Sequence, residues 1–142
     1  MKVYADTSFL VSLYAPDANS AKAAARMRQP EAVLLLTPFV ELELTNALHL
    51  RIFRRELTVA EVRAAYRAFQ HDVAAGVFST QPVPSAVYEQ AKRMARRYTP
   101  ALGVRTLDVL HVATAVVLRA EALWTFDANQ AKLAKAVGFE TT

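Results

Sequence analysis

The stretch Thr106–Asp127, TLDVLHVATAVVLRAEALWTFD, decides how this chain is read. It opens on a polar turn that holds one acid, Asp108, and runs on through an almost wholly apolar segment, Val109–Leu118. A helix apolar on nearly every side is a buried helix. After a short break at 119–121 comes a second apolar run, Ala122–Phe126, which stops on Asp127. Such a run resembles a buried parallel strand, whose carboxyl end is where open α/β sheets place their chemistry. The start of the chain repeats the arrangement: KVYA, then Asp6, then the helical SFLVSLYA. Two strands that end on an acid, and a buried helix that begins on one, predict a pocket lined by carboxylates.

Working outward, Lys2–Ala5 is expected to be a central strand and Ser8–Ala15 a short helix stopped by Pro16. Residues 17–27, DANSAKAAARM, are strongly helical by propensity. Ala32–Leu36 is a fully apolar second strand. Thr37–Pro38, an N-cap followed by proline at the first helical position, opens a helix to about Arg54. Thr58 and Glu61 form a capping-box pattern. The helix after them carries Val59, Val62, Tyr66, Phe69 and Val73 on one face and ends at Gly76. Val77–Val83 is an edge strand limited by Pro82. A basic helix runs from Pro84 through Tyr98, followed by a loop from Pro100 to Arg105. After Asp127 come a last helix to about Val137, Gly138, and a short strand, Phe139–Thr141. Strands alternating with helices predict a three-layer α/β fold, with a mainly parallel sheet of about five strands and helices on both faces. No linker or repeat divides the 142 residues, which fit one domain with a real core.

Composition narrows the function. Apolar residues make up 54% of the chain, which excludes a disordered protein. With three glycines, a glycine-rich phosphate loop is not expected, and no serine nucleophile elbow, Walker A loop or HExxH motif occurs. The absence of cysteine removes disulfides and thiolate metal sites and fits a reducing cytoplasm. The start has neither a long apolar core nor a small-residue cleavage site, so no signal peptide is expected. Val109–Leu118 is too short to cross a bilayer, and no membrane association is expected. The net charge of +4 would attract a polyanion towards a pocket that itself needs cations.

Each acid has a structural explanation. Asp6 and Asp127 precede helices and suit their N-caps, and Asp108 lies in a first turn, where the helix dipole favours it. Together they are harder to dismiss, because a doubly wound sheet would project all of them at one edge. Glu41 and Glu43 are two residues apart, about 200° around a helix, and cannot serve one site. Glu43 falls among Phe39, Val40, Ala47 and Leu50, with no Lys or Arg three or four residues away. A carboxylate there is costly unless paired or bound to metal. Glu43 is therefore the pocket residue and Glu41 the rim residue, although pairing of Glu43 with a distant arginine such as Arg105 is also open. Clustered carboxylates repel, and a divalent cation removes the conflict. All-oxygen donors suit Mg²⁺ or Mn²⁺, which activate water and stabilise in-line displacement at phosphorus. The hydroxyls of Thr7, Ser8 and Thr125 flank the acids and would orient a carboxylate or serve as caps. His111, one turn after Asp108, is read as a supporting residue behind the acids.

Four segments, YADTSFLVSLY, VELELTNAL, TLDVLHVATA and LWTFDANQAKLAKAVGF, together resemble the PIN-domain ribonucleases, and in particular VapC-type toxins of type II toxin–antitoxin pairs. The resemblance spans nearly the whole chain, in order. It implies a PIN fold and assigns the acidic positions to Asp6, Glu43, Asp108 and Asp127, the last being the most variable in the family. It further implies a Mg²⁺- or Mn²⁺-dependent endoribonuclease, dimeric, inhibited by a small antitoxin that docks on it and reaches towards the acidic site. Dimer contacts would draw on exposed apolar side chains of the first helices, such as Phe9 and Leu13. Arg93, Arg96, Arg97 or Arg105 would hold the RNA backbone. Two rival readings are a non-catalytic α/β Mg²⁺-binding regulatory module and a PIN-like scaffold acting only through protein contacts. A receiver domain is disfavoured, because Asp6 stands alone at its strand end and the third strand has no Asp.

Overall fold

A computed structural model describes residues 1–142. Five strands and seven helices follow one another as β1 (Lys2–Ala5), α1 (Thr7–Tyr14), α2 (Ser20–Met27), β2 (Val33–Leu36), α3 (Pro38–Phe53), α4 (Val59–Ala74), β3 (Phe78–Thr80), α5 (Ala86–Leu102), α6 (Thr106–Val117), β4 (Ala122–Trp124), α7 (Ala128–Val137) and β5 (Glu140–Thr141). The sheet order is β3-β2-β1-β4-β5, and every pairing is parallel. The expected α/β architecture is present, with β3 at an edge.

The sheet is covered on both sides, so its central strands are apolar on both faces. Val3 and Tyr4 of β1, Leu36 of β2, and Leu123 and Trp124 of β4 are all buried. Val40, Leu44 and Leu48 form the buried stripe of α3, and Val62, Ala65 and Phe69 that of α4. α6 is buried along most of its length, as its apolar sequence requires. The Thr58–Glu61 capping box is made in both directions, at 3.1 Å each way.

Several boundaries differ from the sequence expectation, each for a local reason. α2 begins at Ser20 rather than Asp17, because the Asp17 carboxylate takes the Asn19 amide at 2.7 Å and folds residues 17–19 into a turn. β4 stops at Trp124 because the next amides turn to hydroxyls: Thr125 N–H donates to Thr142 Oγ1, Phe126 N–H to Ser8 Oγ, and Asp127 N–H to Thr125 Oγ1. β3 shrinks to Phe78–Thr80 ahead of the two prolines. α5 does not stop before Pro100 but runs through it to Leu102. A proline in a last turn removes one hydrogen bond without a following helix to kink. The real stop is Gly103, at φ 63°, whose N–H bonds the Thr99 carbonyl at 2.9 Å. Val59 is 50% exposed and does not belong to the buried face of α4. Phe9 is not exposed either: its ring is fully buried against Trp124 and Phe126. The large apolar side chains exposed on the early helices are instead Leu42, Leu50 and Phe53 of α3.

Candidate active site

Asp6 directly follows the central strand β1. Its N–H donates to the Trp124 carbonyl at 3.1 Å, which ties it to the end of the neighbouring strand β4. Its Oδ1 accepts the Phe9 amide at 2.9 Å and the Ser8 hydroxyl at 2.7 Å, and its Oδ2 accepts the Thr125 hydroxyl at 2.6 Å. The side chain thus caps α1 and also stands in a ring of hydroxyl donors. Burial pushes the Asp6 carboxyl above the usual range, a shift that nearby His111 and the Thr125, Phe9 and Ser8 donors only partly oppose.

Glu43 sits on α3 beside, not within, the buried stripe of Val40, Leu44 and Leu48. It is matched by His111 and Thr7 rather than by Arg105. Thr7 Oγ1 donates to Glu43 Oε1 at 2.7 Å, and His111 Nε2 contacts the same oxygen. A carboxylate only accepts, so Nε2 carries the proton, and in the neutral ring Nδ1 accepts from Tyr4, 2.9 Å away. Burial, then the charges of Asp6 and Glu43, push the Tyr4 phenol far up, so it remains a donor. Partial burial raises the Glu43 carboxyl as well, but His111 and Thr7 outweigh it and leave the group below the usual range. Phe39 packs against the His111 ring at 4.8 Å between centroids. The result is a buried chain, Tyr4–His111–Glu43, that fixes the rotation of one carboxylate.

Asp108 occupies the third position of α6 and is buried. Its Oδ2 accepts the backbone N–H of Arg105 at 2.9 Å. Asp127 caps α7, its Oδ1 taking the Asn129 and Gln130 amides at 2.8 and 3.0 Å. The Arg105 side chain spans the two acids, with Nε 3.6 Å from Asp108 Oδ2 and one terminal nitrogen 3.7 Å from Asp127 Oδ2.

Asp6, Glu43, Asp108 and Asp127 all line one open cleft of about 700 Å³, with Thr7, Ser8 and His111. Thr125 stands behind Asp6 and does not line it, and neither does Glu41. Of the four arginines read as RNA contacts only Arg105 reaches the cleft; Arg93, Arg96 and Arg97 lie elsewhere on α5. Arg51 and Arg54 line it in their place. The signal for them was available: Ala47, Leu50, Arg51 and Arg54 follow Glu43 at helical spacing and share its side of α3. Tyr4 was also missed, because an aromatic in a buried strand carries no mark of its hydroxyl's partner.

The donor chemistry suits a hard divalent cation: oxygen ligands only, two of them buried, opening on a cleft. Glu43 Oε2 and Asp108 Oδ1 take part in none of the bonds described above. The four carboxylates share the cleft without closing on one point: no three His, Asp or Glu side chains are drawn together closely enough to hold an ion. Each is instead satisfied locally, by hydroxyls, amides, His111 or Arg105.

Comparison with known proteins places these residues in a family. A search of curated protein sequences gives no significant match. Among solved structures, VapC20 of Mycobacterium tuberculosis, a sarcin–ricin loop cleaving toxin, superposes with a TM-score of 0.70 at 21% identity, over 97% of this chain and 96% of that one. FitAcB of Neisseria gonorrhoeae gives a TM-score of 0.69 at 16% identity, over 98% and 95% of the two chains. VapBC2 of Rickettsia felis, bound to a DNA fragment from its promoter, gives 0.68 at 12% identity, over 100% and 98%. At such identities these likenesses speak for the fold. The PIN domain model matches residues 3–136, nearly the whole chain, and the chain belongs to the PIN-domain nuclease family.

Proposed function

We propose that the protein is a metal-dependent endoribonuclease and the toxin partner of a VapBC-like pair. The observation that supports this most directly is the convergence of Asp6, Glu43, Asp108 and Asp127, from four separate elements, on a single cleft. Asp6, Glu43 and Asp108 would hold Mg²⁺ or Mn²⁺, and Asp127 would complete that site or a second one. Such an ion supplies water activation and charge neutralisation at the scissile phosphate. The rest is done by the chain itself. Ser8 and Thr125 orient Asp6, Thr7 and His111 orient Glu43, and the Arg105 amide orients Asp108. Arg51, Arg54 and Arg105 would receive the RNA backbone. A small antitoxin as inhibitor, a homodimer as the working form, and action in the cytoplasm belong to the same reading. No helix is long and apolar enough to cross a membrane. Residues 1–142 would act as one domain.

The deciding experiment is RNA cleavage by purified protein with Mg²⁺ or Mn²⁺ against EDTA, beside Asp6→Asn and Asp108→Asn. Cleavage should need the metal, and each substitution should lower its rate at least a hundredfold with the fold retained by circular dichroism. A variant that cuts as fast as wild type would remove its acid from the site. The same carboxylate-lined cleft would also serve a second reading, a regulatory metal-binding module. Metal binding without cleavage of any RNA pool would select it.

A further inference from the structure

Arg105 stands out among the charged residues of the cleft. Its backbone and side chain address the same acid by separate routes: the amide holds Asp108 Oδ2 at 2.9 Å while the guanidinium lies 3.6 Å from that oxygen and 3.7 Å from Asp127 Oδ2. The amide bond belongs to the start of α6 and persists with any side chain at 105. The guanidinium, 73% exposed, is held by these two ion pairs alone and is free to swing out. Asp108 itself is 6% exposed at its side chain, so the cation sits over the mouth of a buried carboxylate.

Resting on the nuclease reading above, we propose that Arg105 is a built-in counter-cation of the site. Its guanidinium neutralises Asp108 and Asp127 in the resting protein, competes with the divalent ion for them, and moves to the RNA backbone when the ion is loaded. Two carboxylates that face one cleft repel unless a cation lies between them, and Arg105 meets that need without metal. A divalent ion brought to Asp108 must displace or face the Arg105 guanidinium a few ångströms away, which weakens its binding. By linkage, loading the ion loosens the arginine to the same degree. Arg105 is in this sense a positioning residue, acting through Asp108 and Asp127.

The test is Mn²⁺ binding by calorimetry to the wild type, Arg105→Gln and Arg105→Lys. Arg105→Gln is expected to bind Mn²⁺ about three- to tenfold more tightly at low salt, with the gain shrinking as salt screens the lost repulsion. Arg105→Lys should stay near wild type, since the charge is kept. Binding of an uncleavable 2′-O-methyl RNA in the presence of Mn²⁺ should fall in Arg105→Gln despite the tighter metal. Wild type that binds Mn²⁺ through Asp108, shown by loss in Asp108→Asn, with an unchanged or weaker affinity in Arg105→Gln, would overturn the inference and leave the nuclease reading standing. No Mn²⁺ binding by the wild type would overturn both.

Discussion

Asp17 shows how much a single side chain organises outside the acidic centre. Its carboxylate accepts from Ser12 Oγ at 2.8 Å and from the Asn19 amide at 2.7 Å, and it pairs with Arg51 at 3.4 Å. Burial raises its carboxyl, but these three partners outweigh burial and hold it below the usual range. The folded protein therefore binds this proton less readily than the unfolded chain. The stability Asp17 contributes is complete above its unfolded pKa and is lost as pH falls through the lowered folded value. Asp17→Asn should cost about 1–2 kcal/mol at neutral pH, and the gap to wild type should close under acid. Urea melts across a pH series read this directly, and a gap independent of pH would assign the loss to packing. His111 makes a different demand. His111→Ala leaves the Glu43 carboxylate with Thr7 as its remaining partner and takes from the buried Tyr4 hydroxyl its His111 contact, a loss of about 2 kcal/mol. Adding Tyr4→Phe to that variant should cost less than Tyr4→Phe alone, because the pair acts as one unit.

Among the elements, α5 and α6 form the joint that sets Asp108. Gly103 ends α5 at φ 63°, a left-handed conformation, and two residues later Arg105 starts the turn that holds the acid. Nothing lies within 4 Å of a Cβ built at Gly103, so Gly103→Ala meets only backbone strain. It should destabilise by about 1 kcal/mol, read by thermal denaturation, with a larger relative loss in cleavage if the α6 start shifts. This joint also shows where sequence reading ran out. The buried helix, the strand–acid–helix order at both ends and the position of Glu43, not Glu41, on the cleft side of α3 were legible, because each rests on periodicity or on a short-range cap. The course of α5 through Pro100 was not, since local sequence does not show whether packing makes up for the one hydrogen bond a proline takes from the turn before it. The end of β4 at Trp124 was equally hidden. Its next amides bond to Ser8 and Thr142 hydroxyls, partners set by tertiary approach. The same holds for the partner of Glu43: helical spacing left it unpaired on its own helix, and His111 reaches it from α6.

For the whole molecule, the cleft combines carboxylates at its centre with arginines at its sides, in a protein of net charge +4. Single-stranded RNA should bind with a marked salt dependence that those arginines carry. Arg51 is tied to Asp17 and Glu56, whereas Arg54 makes no ion pair and Arg105 makes weak ones. Replacing Arg54 and Arg105 by glutamine should reduce the slope of log affinity against log salt by about 0.7 for each residue. Filter binding with an uncleavable RNA at several salt concentrations measures it. Replacing Arg96 and Arg97 on α5, which lie outside the cleft, should change the slope less.

The parallel order β3-β2-β1-β4-β5 has one more consequence, and it concerns the protein while it is being made. β1 leaves the ribosome well before β4, yet two of the bonds that seat Asp6 come from Trp124 and Thr125, of a strand and loop that emerge much later. Asp108 and Asp127 arrive equally late. A nascent chain can fold β1 against β2 and present Glu43, but it cannot assemble the carboxylate centre until the segment from Asp108 to Asp127 has emerged. On the nuclease reading, a nascent chain that still lacks that segment would be unable to cut the RNAs that surround it.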